Sequence, residues 1–328
     1  MGERQAPDVG IVAIGRNEGA RLERCLRSAL QATHVVYVDS GSTDGSVAFA
    51  RKMGVTVLEL DPRIPFTAAR ARNEGFARLR ALAPELQFTQ FVDGDCELAA
   101  GWLQSAARFL ATRADIVAVC GRLRERNHRA SIYNLLCDIE WDLPEGETKS
   151  CGGIAMLRAE ALERAGGYRA DLIAGEEPEL CVRLRAAGGR VWRLDADMAS
   201  HDAAVSRFGQ WWKRMVRTGH AFAQGAHLHG AGPDRYGIRE CRSAWFWGLA
   251  LPIGVCVLAL CWTAWALALL AIYPLQIVRL AARGRRTVRE NLWHALFLVL
   301  GKFPEMIGQV KFLYHRVTHT QSQLIEYK

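Results

Sequence analysis

At 328 residues, 50% hydrophobic and 23% charged, the chain is too apolar for disorder and long enough for about two domains. Its net charge of +8 is unevenly placed: residues 1–202 carry net −3 and residues 203–328 net +11, so the two parts face different surroundings. The 36 residues between Arg242 and Arg279 contain no Asp, Glu, Lys or Arg, which argues against a fully soluble protein. Because the basic residues flank that run, anionic lipid headgroups are the expected partner and nucleic acid is not. Nine Cys with no C-x-x-C pair read as buried reduced thiols, not as disulfides or zinc ligands. The opening MGERQAPDVG is polar and lacks the basic-then-apolar order of a secretory signal, so the first domain is expected to stay in the cytoplasm.

Short apolar runs alternate with helical periods through the first 200 or so residues, the pattern of strands joined by crossover helices. Ile11–Ile14 predicts a first strand. Leu22, Cys25, Leu26, Ala29 and Leu30 then form one apolar helical face, with Asn17 as its expected cap. Strands follow at Val35–Val38 and Val55–Leu60, separated by a short helix at Ser46–Met53. A third helix spans Ala68–Ala83 and ends before Pro84, and a fourth strand spans Phe88–Val92. This is a doubly wound α/β pattern, in which ligands bind outside the carboxyl ends of the strands. Two of those ends carry acids: Asp39 in VVYVDSGSTDGS, and Asp93 with Asp95 in QFVDGDCEL.

A single helix over the uncharged run would be about 54 Å long, against a hydrocarbon core of about 30 Å. Two halves, Trp245–Cys261 and Trp262–Val278, fit better. Arg235, Arg239 and Arg242 precede the run and Arg279, Arg283, Arg285, Arg286 and Arg289 follow it, so the positive-inside rule places both ends on the cytoplasmic side. One tilted span kinked at Pro252 is the alternative. Leu292–Leu300 is too short to span and reads either as an interfacial helix or as one packed on the soluble domain. Trp211 and Trp212, beside Lys213, Arg214 and Arg217, are expected at the membrane interface.

Asp93-Gly94-Asp95 offers two carboxylates on one turn, oxygen ligands that suit Mg2+ or Mn2+. The set of motifs resembles the family 2 glycosyltransferases of the GT-A fold, in that family's order over most of residues 9–202. It comprises an opening strand and RNE turn (Ile11–Glu18), VDSGSTDGS (Val38–Ser46), ARNEG (Ala71–Gly75), the D-x-D, the strand Gly152–Arg158, and GGY (Gly166–Tyr168). The resemblance implies a nucleotide-diphospho-sugar transferase, Rossmann-like domain over residues 1–202. An interfacial connector (203–242), a transmembrane or re-entrant helical hairpin (243–278) and a basic cytoplasmic tail (279–328) complete the expected organisation.

By the same resemblance, Asp39, Ser40, Arg72, Asn73 and Asp93 bind the donor and Asp95 the metal, with His201 as a further ligand. The family's base lies in a Glu-Asp pair opening a helix. Here Gly175-Glu176-Glu177-Pro178 puts Glu177 at the Asp position, one methylene longer, with Glu176 as the alternative. A carboxylate beside a positive helix end suits proton removal from an acceptor hydroxyl. The expected activity is inverting, metal-dependent transfer of one sugar from a nucleoside-diphosphate sugar, UDP first, to a lipid-linked acceptor at the bacterial inner membrane. A polyprenyl-phosphate sugar synthase and a non-catalytic scaffold with a nucleotide-sugar-binding fold are the alternatives.

Overall fold

In the computed structural model, which describes residues 8–320, Val9–Gly15 forms strand β1, and Ile11, Val12 and Ala13 are enclosed on both faces as a central strand requires. The N-terminal seven residues, and the end of the tail from 321 onward, lie outside the described residues, so the reading of the opening segment falls partly there. In chain order follow α1 (Ala20–Ala29), β2 (His34–Asp39), α2 (Ser46–Lys52), β3 (Thr56–Glu59), α3 (Ala68–Leu82) and β4 (Phe88–Asp93). β1 pairs in parallel with β2 and with β4, and β2 with β3. Next come β5 (Cys96–Leu98), α4 (Trp102–Thr112), β6 (Ile116–Glu125), α5 (Ile132–Trp141), β7 (Gly146–Glu147), β8 (Ala155–Arg158), α6 (Ala159–Arg164), α7 (Glu176–Ala186) and β9 (Arg190–His201).

The sheet order is β3-β2-β1-β4-β8-β6-β9-β5, with β7 on β9. β8 runs antiparallel to both β4 and β6, so the sheet is mixed, not wholly parallel. The sequence pattern could not show this, because Ala155–Leu157 is buried on both faces and reads alike in either direction. β9 runs the full length from Arg190 to His201. Asn17 does not cap α1. It takes a positive φ of 56°, its side-chain oxygen accepts from the Thr43 amide at 2.7 Å, and its own amide donates to Ser42 Oγ at 2.8 Å. The RNE turn is thereby tied to the loop after β2.

α3 lies directly on β1 and β2. A Cβ at Gly75 would stand 2.5 Å from Val12 Cγ1 and 2.7 Å from Val38 Cγ2. Gly75→Ala is therefore expected to cost about 1–3 kcal/mol through overpacking and to lower the thermal midpoint by several degrees, read by a melt of the full chain.

The chain divides into two compact units, residues 8–127 with 140–203 and residues 128–139 with 204 onward. The second holds α8 (Phe208–His229), α9 (Ile238–Trp245), α10 (Leu251–Cys261), α11 (Ile272–Ala281), α12 (Val288–Leu300) and α13 (Lys302–Val317). A π-helical turn at Phe246–Ala250 joins α9 to α10, just before Pro252, whose missing N–H cannot complete an ordinary turn. A 3-10 segment, Ala264–Ala271, runs into α11. Ile238–Cys261 and Ala264–Ala281 are thus two helices long and apolar enough to cross a membrane, broken at Trp262-Thr263 and packed side by side. Leu260, Trp262 and Trp265 around the break are 87%, 86% and 85% exposed.

Trp211, expected at a membrane interface, is buried within this unit, its ring 4.7 Å from that of Phe297 and nearly perpendicular to it. α12 turns Ala295 and Val299 inward and leaves Leu292 and Leu298 exposed. α8 packs closely on α13 where Gly219 meets the Glu305 backbone. Nearby His220 is buried edge-on to Phe312, and burial lowers its pKa to about 4, with His315 and Lys311 acting in the same direction. The unfolded chain therefore binds more protons below the ordinary imidazole pKa of 6.5. Stability of this unit is complete above that pH and falls as pH drops toward 4, by up to about 1.4 kcal/mol per pH unit. Melts at pH 7 and pH 5 should show the loss, and His220→Leu should flatten it.

Candidate active site

The parallel strands bring their carboxyl ends to one edge of the sheet. Gly15 of β1 is paired with Asp39, and Ile14 with Asp93, so the two acids flank the end of β1. Asp39 is buried and spends its carboxylate on its own turn. Oδ1 accepts from the Tyr37 hydroxyl at 2.8 Å, and Oδ2 accepts from the Gly41 and Ser42 amides at 2.9 and 2.8 Å. Burial, with the Asp39 carboxylate beside it, raises the Tyr37 phenol pKa, so it stays a donor. The Ser40 amide donates to Gly15 O at 3.0 Å, which presents the SGS loop at the strand edge.

α3 opens at Thr67, whose hydroxyl accepts from the Arg70 amide at 3.1 Å, and this start aims Arg72 at the same edge. Arg72 is nearly fully buried. Its Nη2 donates to Asp93 Oδ1 at 2.8 Å and to Gly153 O at 3.3 Å, its Nη1 pairs with Glu176 Oε1, and its guanidinium lies 5.6 Å from the centre of the Tyr168 ring. Burial pulls the Arg72 pKa down, but Asp93 and Glu176 more than offset it and the charge is retained. Asn73 faces the GGY turn: Nδ2 donates to Tyr168 O at 2.7 Å and Oδ1 accepts from Tyr168 N at 2.8 Å.

α7 starts after Gly175 at φ 77°, and its first turn carries Glu176, Glu177 and Glu179. The two leading carboxylates do different things. Glu176 points to Arg72. Glu177, 3% exposed, accepts from the Cys151 amide at 2.7 Å, the Gly152 amide at 3.0 Å and the Cys181 thiol at 2.9 Å. It holds the Cys151-Gly152-Gly153 loop onto the helix. The Cys181 thiol is pushed up to about 11: its hydrogen bond with Cys151 lowers it, but burial and Glu177 raise it further, so it remains a protonated donor.

The D-x-D acids separate into two clusters. Asp93 joins Arg72, whereas Asp95 turns to His201, with Oδ2 3.3 Å from Nε2. Strand pairing explains the second contact, because Cys96 is opposite His201 and the Asp202 amide donates to Asp95 O at 3.0 Å. The Cys96 thiol lies 3.5 Å from Asp95 Oδ1. Ligand atoms of Asp95, Cys96 and His201 lie within 4.8 Å of one another, a set that fits a divalent cation with an oxygen and a nitrogen already side by side. Cys151, Glu177 and Cys181 are equally close, but the Glu177 oxygens there already serve backbone amides.

Residues 11–164 match the family model described as Glycosyl transferase family 2. The matched stretch, which covers most of the first unit, is similar to the family 2 glycosyl transferases. The pre-mycofactocin glycosyltransferase of Mycobacterium tuberculosis is 27% identical over 241 residues, covering 70% of this chain and 49% of that protein. The chain thus spans about half the length of the curated relatives it matches. Two solved structures share the GT-A fold. The mannosyltransferase PcManGT of Pyrobaculum calidifontis, in complex with GDP-Man and Mn2+, superposes with a TM-score of 0.65 at 20% identity over 95% of this chain and 89% of that one. S. aureus TarS 1-349, in complex with UDP-GlcNAc, gives 0.51 at 15% identity over 95% and 92%.

Two features of the glycosyl transferase domain escaped sequence reasoning. Glu125 ends β6 beside His201, where the same strand-end rule that marked Asp39 marks an acid, but the segment after it carries no motif. Cys151 and Cys181 lie next to recognised motifs, yet nothing in their spacing shows that they meet at Glu177.

Proposed function

We propose that the protein is an inverting glycosyltransferase that moves one sugar from a nucleoside-diphosphate sugar, UDP-linked first, to a lipid-linked acceptor at a membrane surface. The observation that carries this is the pair of clusters at one strand edge of a family 2 domain: Asp93–Arg72–Glu176 and Asp95–His201. PcManGT in complex with GDP-Man and Mn2+ and TarS in complex with UDP-GlcNAc, which share the fold, support a nucleotide-sugar donor. Asp39 and Ser40 shape the loop that would face the nucleoside.

Asp95 and His201 would hold a divalent cation, Mg2+ or Mn2+, which when bound neutralises diphosphate charge as the sugar–phosphate bond breaks. Arg72 fixes Asp93 and Glu176 at one guanidinium, and Asn73 pins the GGY turn behind it. Of the two leading glutamates, Glu176 is the better base, since Glu177 already accepts three hydrogen bonds and is sealed under the Cys151 loop. Glu176 would take the proton of the attacking hydroxyl, and one displacement inverts the anomeric centre.

Two helices of membrane-spanning length, flanked by the arginines at 235–242 and 279–289, support anchoring in the bacterial inner membrane with the catalytic domain on the cytoplasmic face. The test is transfer by the purified full chain in detergent, with nucleotide sugars and a lipid extract, and proton NMR of the product. An anomeric configuration opposite to the donor's supports the proposal, and retention contradicts it. Transfer that survives Glu176→Gln nearly unchanged would point to a phosphate acceptor, which needs little deprotonation.

A further inference from the structure

β6 and β9 pair with Glu125 opposite His201, and β5 meets β9 with Cys96 opposite the same histidine. The imidazole therefore lies between two carboxylates. Glu125 Oε2 is 3.1 Å from Nδ1, and Asp95 Oδ2 is 3.3 Å from Nε2. The Glu125 side chain is fully buried, and its carboxylate is oriented by two amides, Ala203 N at 3.0 Å and Asn127 N at 3.2 Å. Trp141 closes on the ring at right angles, 4.6 Å between centres. Backbone, packing and a buried acid thus converge on the orientation of one imidazole.

We propose that Glu125 is a positioning residue that sets the tautomer of His201, keeping the proton on Nδ1 and turning the Nε2 lone pair toward Asp95. This rests on the reading of Asp95 and His201 as a cation site. A buried carboxylate behind a histidine is the arrangement that fixes a metal-binding imidazole, and its loss costs about 10- to 100-fold in metal affinity. The nitrogen it presents also biases the site toward Mn2+ over Mg2+, which prefers oxygen ligands. Glu125→Leu is close in volume and removes the acceptor behind Nδ1, which leaves Asp95 as the carboxylate facing the ring, moves the proton to Nε2 and takes the lone pair from the cation side. Glu125→Gln can keep an oxygen at the Oε2 position, which serves both the Ala203 amide and Nδ1–H, so it keeps the wild-type tautomer.

The test uses the full chain in detergent, labelled with 15N-histidine, with His201→Gln to assign the signal. Metal-free wild type should show the Nδ1–H tautomer and Glu125→Leu the Nε2–H tautomer. Mn2+ binding followed by EPR should weaken about 10- to 100-fold in Glu125→Leu, with loss of the 15N-histidine coupling to bound Mn2+, while Mg2+ binding changes little. Glu125→Asp, which keeps a carboxylate on that side, should retain the wild-type tautomer with intermediate affinity, and it decides the matter if the Leu variant does not fold. Wild-type tautomer and Mn2+ affinity in Glu125→Leu would overturn the role of Glu125. If the wild type itself binds no Mn2+, the cation reading fails, and the tautomer measurement alone then judges Glu125.

Discussion

Arg72→Met is expected to be the most destabilising substitution in the glycosyl transferase domain. The guanidinium is buried and joins two carboxylates, Asp93 and Glu176, that come from different elements about 20 and 100 residues away in the sequence. Breaking a buried ion pair by removing one partner costs about 3–5 kcal/mol, because the remaining charge is left uncompensated. Asp93 is partly exposed, which places the expected loss at the lower end of that range. At about 2–4 °C per kcal/mol for a domain of this size, the thermal midpoint should fall by roughly 6–12 °C. Arg72→Lys should recover little, since one ammonium cannot reproduce the forked contact with Asp93, Glu176 and Gly153 O. A melt of Arg72→Met within 2 °C of wild type would show that the triad is not what ties α3 to α7.

The second large effect is on turnover. Glu176→Gln is expected to lower kcat by about 100- to 10,000-fold, the range for loss of a general base, with little change in donor KM. Glu177→Gln should act differently. Its amide oxygen can accept from Cys151 N and the Cys181 thiol together, or from Gly152 N, but either way its NH2 faces a backbone donor. That variant should lose stability by about 1–3 kcal/mol and change KM and kcat together through the displaced loop. A kcat collapse confined to Glu177→Gln, with a near-normal melt and an active Glu176→Gln, would reverse the two roles.

What the sequence made legible was position along strands. Asp39, Asp93 and Asp95 stand out because buried apolar runs end at them, and the ends of β1, β2 and β4 do fall on one edge. Strand direction was not legible at β8, where burial on both faces erases the alternation that could signal it. Partnerships were harder still. The D-x-D spacing says that two acids share a turn, but which faces Arg72 and which His201 is decided by the pairing of β5 with β9, a contact across about 100 residues. Glu176 and Glu177 are adjacent and chemically alike, and only the loop at Cys151 tells them apart. In the second unit Trp211 was expected at a membrane interface, and its burial against Phe297 is a contact that no local pattern reveals.

The account stands most directly on metal-dependent turnover of a nucleotide sugar. The measurement is donor hydrolysis and transfer by the detergent-solubilised full chain against UDP-, GDP- and dTDP-sugars, with Mg2+, Mn2+ or chelator, beside Asp95→Ala. The account predicts turnover of one donor class that chelator abolishes and that Asp95→Ala lowers by at least about 100-fold. Turnover indifferent to chelator and to Asp95→Ala, or no binding of any nucleotide sugar by a folded wild type supplied with metal and lipid acceptor, would contradict it.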